Sequence, residues 1–97
     1  MINRVVLLKF SEETTQEQFQ EVIRRYKALK SQLPGIVEIH AGLNISERNR
    51  EYQVILNVRF ADRTALEAYA VSAEHEAVAA YIREAGRIDS IGVDFEL

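Results

Sequence analysis

The stretch I-N-R-V-V-L-L-K-F, residues 2–10, decides the fold because apolar side chains occupy both alternating positions along it. Val6 and Leu8 share one face of this predicted strand, and Val5 and Leu7 share the other. A strand that is apolar on both faces is at least partly buried on both. Helices packed on one side of a small sheet cannot bury its other side. We therefore predict a homodimer in which the sheet faces of two copies meet.

A second stretch, Y-Q-V-I-L-N-V-R-F at residues 52–60, shows the same excess of apolar residues. Alternation places one set on the face toward the helices: Tyr52, Val54, Leu56, Val58 and Phe60. The face turned away from the helices is predicted to carry Val5, Leu7, Lys9, Ile55, Asn57, Arg59 and Asp94. Such a mixed polar and apolar surface suits an interface between two copies better than open solvent.

The composition is that of one globular domain spanning residues 1–97, with 47% hydrophobic and 28% charged residues. The apolar runs are far shorter than a membrane span, and the net charge of −3 with interspersed signs gives no basic footprint for nucleic acid. Cysteine is absent, which fits a reducing compartment. We expect a cytoplasmic protein that binds neither nucleic acid nor membrane.

The segment after the first strand predicts an amphipathic helix. Thr14 with Glu17, or Thr15 with Gln18, has the spacing of a capping box at its start. Apolar residues then recur at steps of three and four: Phe19, Val22, Ile23, Tyr26, Leu29 and Leu33. The dipeptide at 34–35, Pro-Gly, ends the helix. A strand at 36–43 and a polar loop at 44–51 then lead into the strand at 52–60 as a hairpin.

The second half of the chain predicts two short helices and a last strand. Asp62 and Ser72 are good N-caps, and Gly86 ends the second of these helices. From Ser90 to Leu97 apolar and polar residues alternate. The resulting order, β-α-β-β-α-α-β, is the ferredoxin-like arrangement, an α+β fold with an antiparallel sheet and its helices on one face. Two such sheets set face to face form a dimeric α/β barrel.

Several segments together resemble the stress-responsive A/B barrel (Dabb) family over nearly the whole chain. They are V-V-L-L-K-F, L-P-G-I, G-L-N-I-S, F-A-D-R-T-A-L-E-A-Y, S-A-E-H and the terminal V-D-F-E. The resemblance implies a small dimeric α+β barrel, found in plants and bacteria, most of whose members have no assigned reaction. One plant member closes a polyketide ring by a cofactor-free aldol condensation.

The resemblance also implies a site. The catalytic histidine of that plant cyclase matches His75, its partner tyrosine matches Tyr69, and a pocket tyrosine on the first helix matches Tyr26. Two further pocket histidines of the cyclase fall at Arg4 and Val54 in this chain. We expect a pocket between sheet and helices that Arg4, Tyr26, Tyr69 and His75 border.

These residue types allow two interpretations each. As an imidazole with a pKa near neutrality, His75 can remove a proton from an acidic carbon while the Tyr69 hydroxyl holds the resulting oxyanion. Alternatively, His75 packs beneath its helix and bonds a backbone carbonyl. Tyr26 and Tyr69 either line a pocket or belong to the plain core. Arg4, on a strand face directed toward the helices, either extends to an edge or binds an anionic ligand group.

The other histidine, His40, shares a strand face with Glu38, which predicts an ion-paired histidine in the interface. Two histidines on separate elements are a weak metal signal, and we expect neither a metal nor a cofactor.

Three functions follow from this sequence. The first is a dimeric stress-associated protein that binds a small apolar or carbonyl-containing ligand without catalysis. The second is a cofactor-independent cyclase, lyase or isomerase that uses His75 as general base with Tyr69. The third, haem or quinone chemistry as in the antibiotic-biosynthesis monooxygenase-like proteins, has less support because the motifs match the Dabb family better.

Overall fold

The computed structural model describes all residues, Met1–Leu97, in the order β1-α1-β2-β3-α2-α3-β4. The strands are β1 (Ile2–Phe10), β2 (Ile36–Leu43), β3 (Tyr52–Phe60) and β4 (Arg87–Glu96). The helices are α1 (Gln16–Gln32), α2 (Arg63–Ala70) and α3 (Ala73–Glu84). The four strands form one antiparallel sheet in the order β2-β3-β1-β4. The prediction of an α+β, ferredoxin-like protomer is confirmed.

Local chemistry sets the helix ends. Of the two capping boxes that the sequence allows, the one used joins Thr15 and Gln18, and each side chain accepts from the other residue's backbone N–H. The Thr14 hydroxyl instead donates to the Ala85 carbonyl at 2.7 Å and ties the start of α1 to the end of α3. Asp62 and Ser72 cap α2 and α3, as predicted.

One hydrophobic core fills the space between the sheet and the helices. The sheet contributes Ile2, Leu8, Phe10, Ile36, Val54, Leu56, Val58 and Phe60, and the helices contribute Phe19, Val22, Ile23, Tyr26, Leu29, Leu66, Tyr69, Val78 and Ile82. Phe60 packs edge-on against Tyr69, with ring centroids 5.0 Å apart. Because α2 is only eight residues long, it depends on such contacts rather than on helix propensity for its stability.

The opposite, open face of the sheet has no helix on it. Cross-strand pairing shows which β4 residues lie there: Ile91 pairs with Leu7, and Val93 pairs with Val5. Phe95 has the same phase, and these three apolar side chains are 44–54% exposed. Together with Ile55 on β3 they make the open face more apolar than the sequence analysis predicted.

The assignment of Asp94 to the open face is wrong. Asp94 pairs with Arg4, whose side chain lies on the helix side of β1, and so Asp94 lies on the helix side as well. Alternation along β4 defines two faces but does not say which one is buried. β4 is an edge strand and turns its apolar residues away from the helices.

The assignment of Tyr52 to the helix side is also wrong. The register shifts between Leu8 and Lys9, so that Leu8 pairs with Val54 but Lys9 pairs with Tyr52. One extra residue on β3, Gln53, is accommodated there, and its side chain accepts a hydrogen bond from the Phe10 amide at 2.8 Å. A bulge of this kind reverses the faces beyond it. The Tyr52 side chain therefore lies on the open face of the sheet, like that of its partner Lys9.

Gly35 makes the turn from α1 into β2 possible. Its φ is +86°, and a Cβ added there would lie 2.5 Å from the Ala65 side chain on α2. Only glycine satisfies both conditions without strain. None of the three helices is long and apolar enough to cross a membrane.

Candidate functional site

A cavity of about 170 Å³ lies between the helix side of the sheet and the three helices. Four elements each contribute one of the predicted polar side chains to its wall: Arg4 from β1, Tyr26 from α1, Tyr69 from α2 and His75 from α3. The apolar part of the wall consists of Val6, Leu8, Leu56, Val78, Ala79 and Ile82. The structure thus brings together all four residues that the sequence analysis nominated.

The two tyrosines form a buried hydroxyl pair. Tyr69 donates a hydrogen bond to the Tyr26 oxygen at 3.0 Å. Burial raises the pKa of both phenols above the ordinary value of 10, so both are neutral at pH 7. The pair has two hydroxyl hydrogens and uses only one of them in the bond between the rings. The other O–H, beside the cavity, is free for another acceptor. A carbonyl oxygen is the kind of acceptor that such a neutral donor fits.

His75 lies in the first turn of α3, where its backbone N–H donates to the Ser72 hydroxyl at 3.1 Å. Its ring centroid is 4.5 Å from that of Tyr69. Partial burial, followed by the positive charge of Arg4, lowers the pKa of His75 below 6.5, while the charge of Glu76 and the Ala70 backbone act in the opposite direction. The imidazole is therefore neutral at pH 7. A neutral imidazole is the form that can accept a proton.

Arg4 binds a carboxylate of its own chain. Its Nε and Nη2 donate to the two oxygens of Asp94 at 2.8 and 3.1 Å, a bidentate pair. The carboxylate raises the pKa of Arg4, and the guanidinium lowers the pKa of Asp94. Asp94 was missed as a contributor to this site because its phase on β4 was assigned to the wrong face. The sequence contained one signal for such a partner. Arg4 lies on the helix side of β1, where a partly buried guanidinium needs a carboxylate beside it.

Arg87, at the start of β4, also lines the cavity and was not foreseen. It pairs with Phe10, six residues along β1 from Arg4. At about 3.3 Å per residue the two positions are roughly 20 Å apart along the strand. Arg4 and the tyrosine pair form the polar end of the cavity, and Arg87 adds a second, exposed guanidinium to its wall.

His40 is on the open face, away from the cavity. Its Nε2 lies 2.9 Å from Glu38 Oε1, and Arg59 Nη1 lies 3.1 Å from Glu38 Oε2. The contact of His40 with a carboxylate that the sequence predicts is present within the protomer, at hydrogen-bond distance. The structure contains no group of three or more His, Cys, Asp or Glu side chains arranged to hold a metal ion.

A second, wider hollow of about 680 Å³ lies on the outer surface between α1 and α3. It is an open groove, and the two arginines on its α1 wall, Arg24 and Arg25, are paired with Glu21. The cavity between sheet and helices, where the four predicted polar side chains meet, is the better candidate site, although it is smaller.

The sequence model of the stress-responsive A/B barrel domain matches residues 2–97. The chain belongs to this family. Among curated proteins, the Dabb chain is similar to olivetolic acid cyclase from Cannabis sativa, with 25% identity over 76 residues that cover 76% of this chain and 75% of the cyclase.

Two solved structures extend the comparison. A dimeric ferredoxin-like protein of unknown function from a Jannaschia species is 25% identical to this Dabb chain, with a TM-score of 0.83 over 99% of this chain and 98% of that one. Hydroxynitrile lyase from Passiflora edulis is 14% identical, with a TM-score of 0.86 over 99% and 92%. At that identity the lyase shows only that the fold is shared.

Proposed function

We propose that this Dabb protein is a homodimer that binds a small, mostly apolar ligand with a carbonyl group in the cavity between its sheet and its helices. The observation that carries the proposal is the cavity itself, which has an apolar wall and one polar end. Small-molecule sites typically combine such a wall with a few polar groups that fix orientation. Here the free O–H of the tyrosine pair would donate to the ligand carbonyl.

The binding proposal is tested by filling the cavity. Acetophenone, a single ring with one ketone, is titrated into the ¹⁵N-labelled protein and followed by NMR. Ala79 lines the cavity, whereas Ala77 on the same helix faces the outer groove. We expect shifts centred on Tyr69 and His75 that Ala79→Leu abolishes and Ala77→Leu preserves. Equal binding by both variants would contradict a ligand in the cavity.

The homodimer part of the proposal rests on the open sheet face. Val5, Leu7 and Ile55 are only partly buried there, and two buried polar atoms, Asn57 Oδ1 and Arg59 Nε, have no hydrogen-bond partner within the protomer. Both atoms are already shielded by their own protomer, so the case for a second copy rests on the partly exposed apolar side chains of this face. The similar Jannaschia protein is dimeric, which supports a homodimer.

An interface of this kind would bury on the order of 1,600 Å² or more and use the same surface of both copies. Light scattering over a dilution series tests it. We expect a dimer throughout the micromolar range, and a folded monomer at those concentrations would refute it.

A second function is favoured by the contact between His75 and Tyr69, namely a cofactor-independent cyclase, lyase or isomerase. The neutral imidazole of His75 would take a proton from a carbon next to the ligand carbonyl. The electron pair left on carbon would delocalise onto the carbonyl oxygen, where a tyrosine O–H would donate to the enolate. The similarity to olivetolic acid cyclase supports this alternative.

The enzymatic alternative is tested by proton exchange. The protein is incubated with acetophenone in deuterated water, and loss of the methyl proton signal is followed by NMR. Removal of a general base typically costs about 10²–10⁴-fold in rate. We expect His75→Ala to lose the exchange and His40→Ala, a histidine on the open face, to retain it. If the wild-type protein binds the ketone without exchange above buffer, the binding function stands alone.

A cytoplasmic location completes the proposal. It rests on the cysteine-free composition, which suits a reducing compartment. Fractionation of the source cells with an antibody against the protein tests it, and recovery from a secreted fraction would contradict it.

A further inference from the structure

Asp94 does not line the cavity but controls the charge at its polar end. Its two oxygens accept from Nε and Nη2 of Arg4, so the pair as a unit has no net charge. A guanidinium has five N–H donors, of which Asp94 takes two and leaves three. The remaining donors of Arg4 belong to a guanidinium that lines the cavity together with the tyrosine pair.

We propose that Asp94 is a positioning and selectivity residue, which holds Arg4 as a neutral ion pair and makes the cavity select a neutral carbonyl ligand over the corresponding carboxylate. The inference rests on the proposed ligand-binding function and deepens it by naming the charge class of the ligand.

The charges at the polar end support this selectivity. The charge of Arg4 is compensated by the bidentate pair with Asp94, and the lowered pKa of His75 favours its neutral form. A carboxylate that bound to the free side of Arg4 would bring a second negative charge to a guanidinium that already holds one. A ketone or aldehyde oxygen accepts the free tyrosine O–H without this repulsion.

Arg87 does not change this conclusion. It lines the cavity and makes no ion pair of its own in the structure, but its side chain is exposed, so water screens its charge. A ligand carboxylate that paired with Arg87 would gain little, because ion pairs with exposed charges contribute little free energy. If Arg87 did hold the ligand, the wild-type protein would bind the carboxylate more tightly than the ketone.

The size of the cavity limits the ligand to about one ring. An engineered cavity of about 150 Å³ in another protein binds benzene. The 170 Å³ measured in this chain accommodates a ring with one small substituent. Acetophenone and benzoate are matched probes of that size, since benzoate has a charged carboxylate oxygen where acetophenone has a methyl group.

The test measures the dissociation constants of acetophenone and benzoate by NMR titration at pH 7, with wild-type protein and with Asp94→Asn. We expect the wild type to bind acetophenone more tightly. In Asp94→Asn the charge of Arg4 is released, and the affinity for benzoate relative to acetophenone should rise on the order of tenfold or more. Glu96→Gln makes the same charge change on the same strand beside Arg63, and should leave the ratio unchanged.

Three outcomes would refute the role of Asp94, and one of them would refute the ligand site as well. Tighter binding of benzoate by the wild type, or an unchanged ratio in Asp94→Asn, refutes the role of Asp94 while the ligand site remains. Failure of both probes to bind any of the proteins refutes the ligand site as well. Asp94→Ser, a second neutral substitution with a shorter side chain, replaces Asp94→Asn if the latter does not fold and must give the same shift.

Discussion

The hydroxyl oxygens of Tyr26 and Tyr69 lie 3.0 Å apart and join α1 to α2 through a buried hydrogen bond. The two residues are 43 positions apart in sequence and both are almost fully buried. A tyrosine in a plain core needs one partner for its hydroxyl, and here each hydroxyl is the other's partner at the wall of a cavity. The pair therefore serves the packing of the core and the polarity of the site at the same time.

Tyr26→Phe should test both roles. The change leaves the Tyr69 hydroxyl without its protein partner, and a buried unsatisfied group costs about 1–3 kcal/mol. In a domain of this size that lowers the melting temperature by about 4–8 °C for each kcal/mol. We expect weaker binding of acetophenone as well. Tyr81→Phe is the control, because that ring packs under Arg25 at the surface. Equal effects of the two substitutions would show that the hydroxyl pair contributes nothing specific.

The lowered pKa of His75 predicts a pH dependence of stability. Its pKa in the folded protein is below the unfolded value of 6.5, so the unfolded chain binds the proton more readily. The stabilisation is fully present above pH 6.5 and is lost as the pH falls through the folded pKa. We expect the free energy of unfolding of the wild type to fall below pH 6.5 more steeply than that of His75→Gln. His75→Asn, a second neutral substitution, should show the same reduced slope, and a wild-type slope in either variant would contradict the assignment to His75.

Gly35→Ala should destabilise the protein strongly. The left-handed backbone and the 2.5 Å approach to Ala65 both oppose a methyl group at this position. Strain of this kind costs on the order of 1–3 kcal/mol, before any shift of α2 is counted. Gly92→Ala is the matched control, because its added methyl would meet Val6 at an ordinary 3.9 Å. Urea unfolding of the two variants measures the difference, and equal midpoints would refute the steric argument.

Much of the fold could be predicted because its signals are local. The two-sided apolar pattern of β1, the cap at Asp62 and the turn at Gly35 each depend on a few neighbouring residues. The faces of Asp94 and Tyr52 depend on pairing between distant strands. The bulge at Gln53 sets the face of Tyr52, and the edge position of β4 sets the face of Asp94. Neither feature changes the apolar periodicity of the sequence. Long-range register was therefore the point at which prediction failed.

The candidate site was predictable to a similar degree. Family resemblance nominated Tyr26, Tyr69 and His75, and the inward phase nominated Arg4, and all four line one cavity. The resemblance could not indicate Asp94, because its role arises only from cross-strand pairing with Arg4.

Ile55→Asp should dissociate or unfold the protein. Ile55 lies at the centre of the open face, where a buried unpaired charge would be costly in a dimer but tolerable in a monomer. Val71→Asp makes the same kind of change at a side chain that is 85% exposed between α2 and α3, on the helix side. Sedimentation velocity should give a monomer or aggregate for the first and an unchanged dimer for the second. A stable dimer with Ile55→Asp would mean that the two copies meet elsewhere.

No turnover of the polyketide substrate of olivetolic acid cyclase is expected from this protein. Two histidines of the cyclase pocket are replaced here by Arg4 and Val54. The guanidinium of Arg4 is paired with Asp94, and Val54 is fully buried in the core. The cavity of about 170 Å³ is also below the range of about 300–1,000 Å³ usual for ligand pockets. The assay compares purified protein with the cyclase and with His75→Ala, using chromatographic detection of the cyclised product. A product that appears with the wild type and disappears with His75→Ala would show that the imidazole and the tyrosine pair suffice for ring closure.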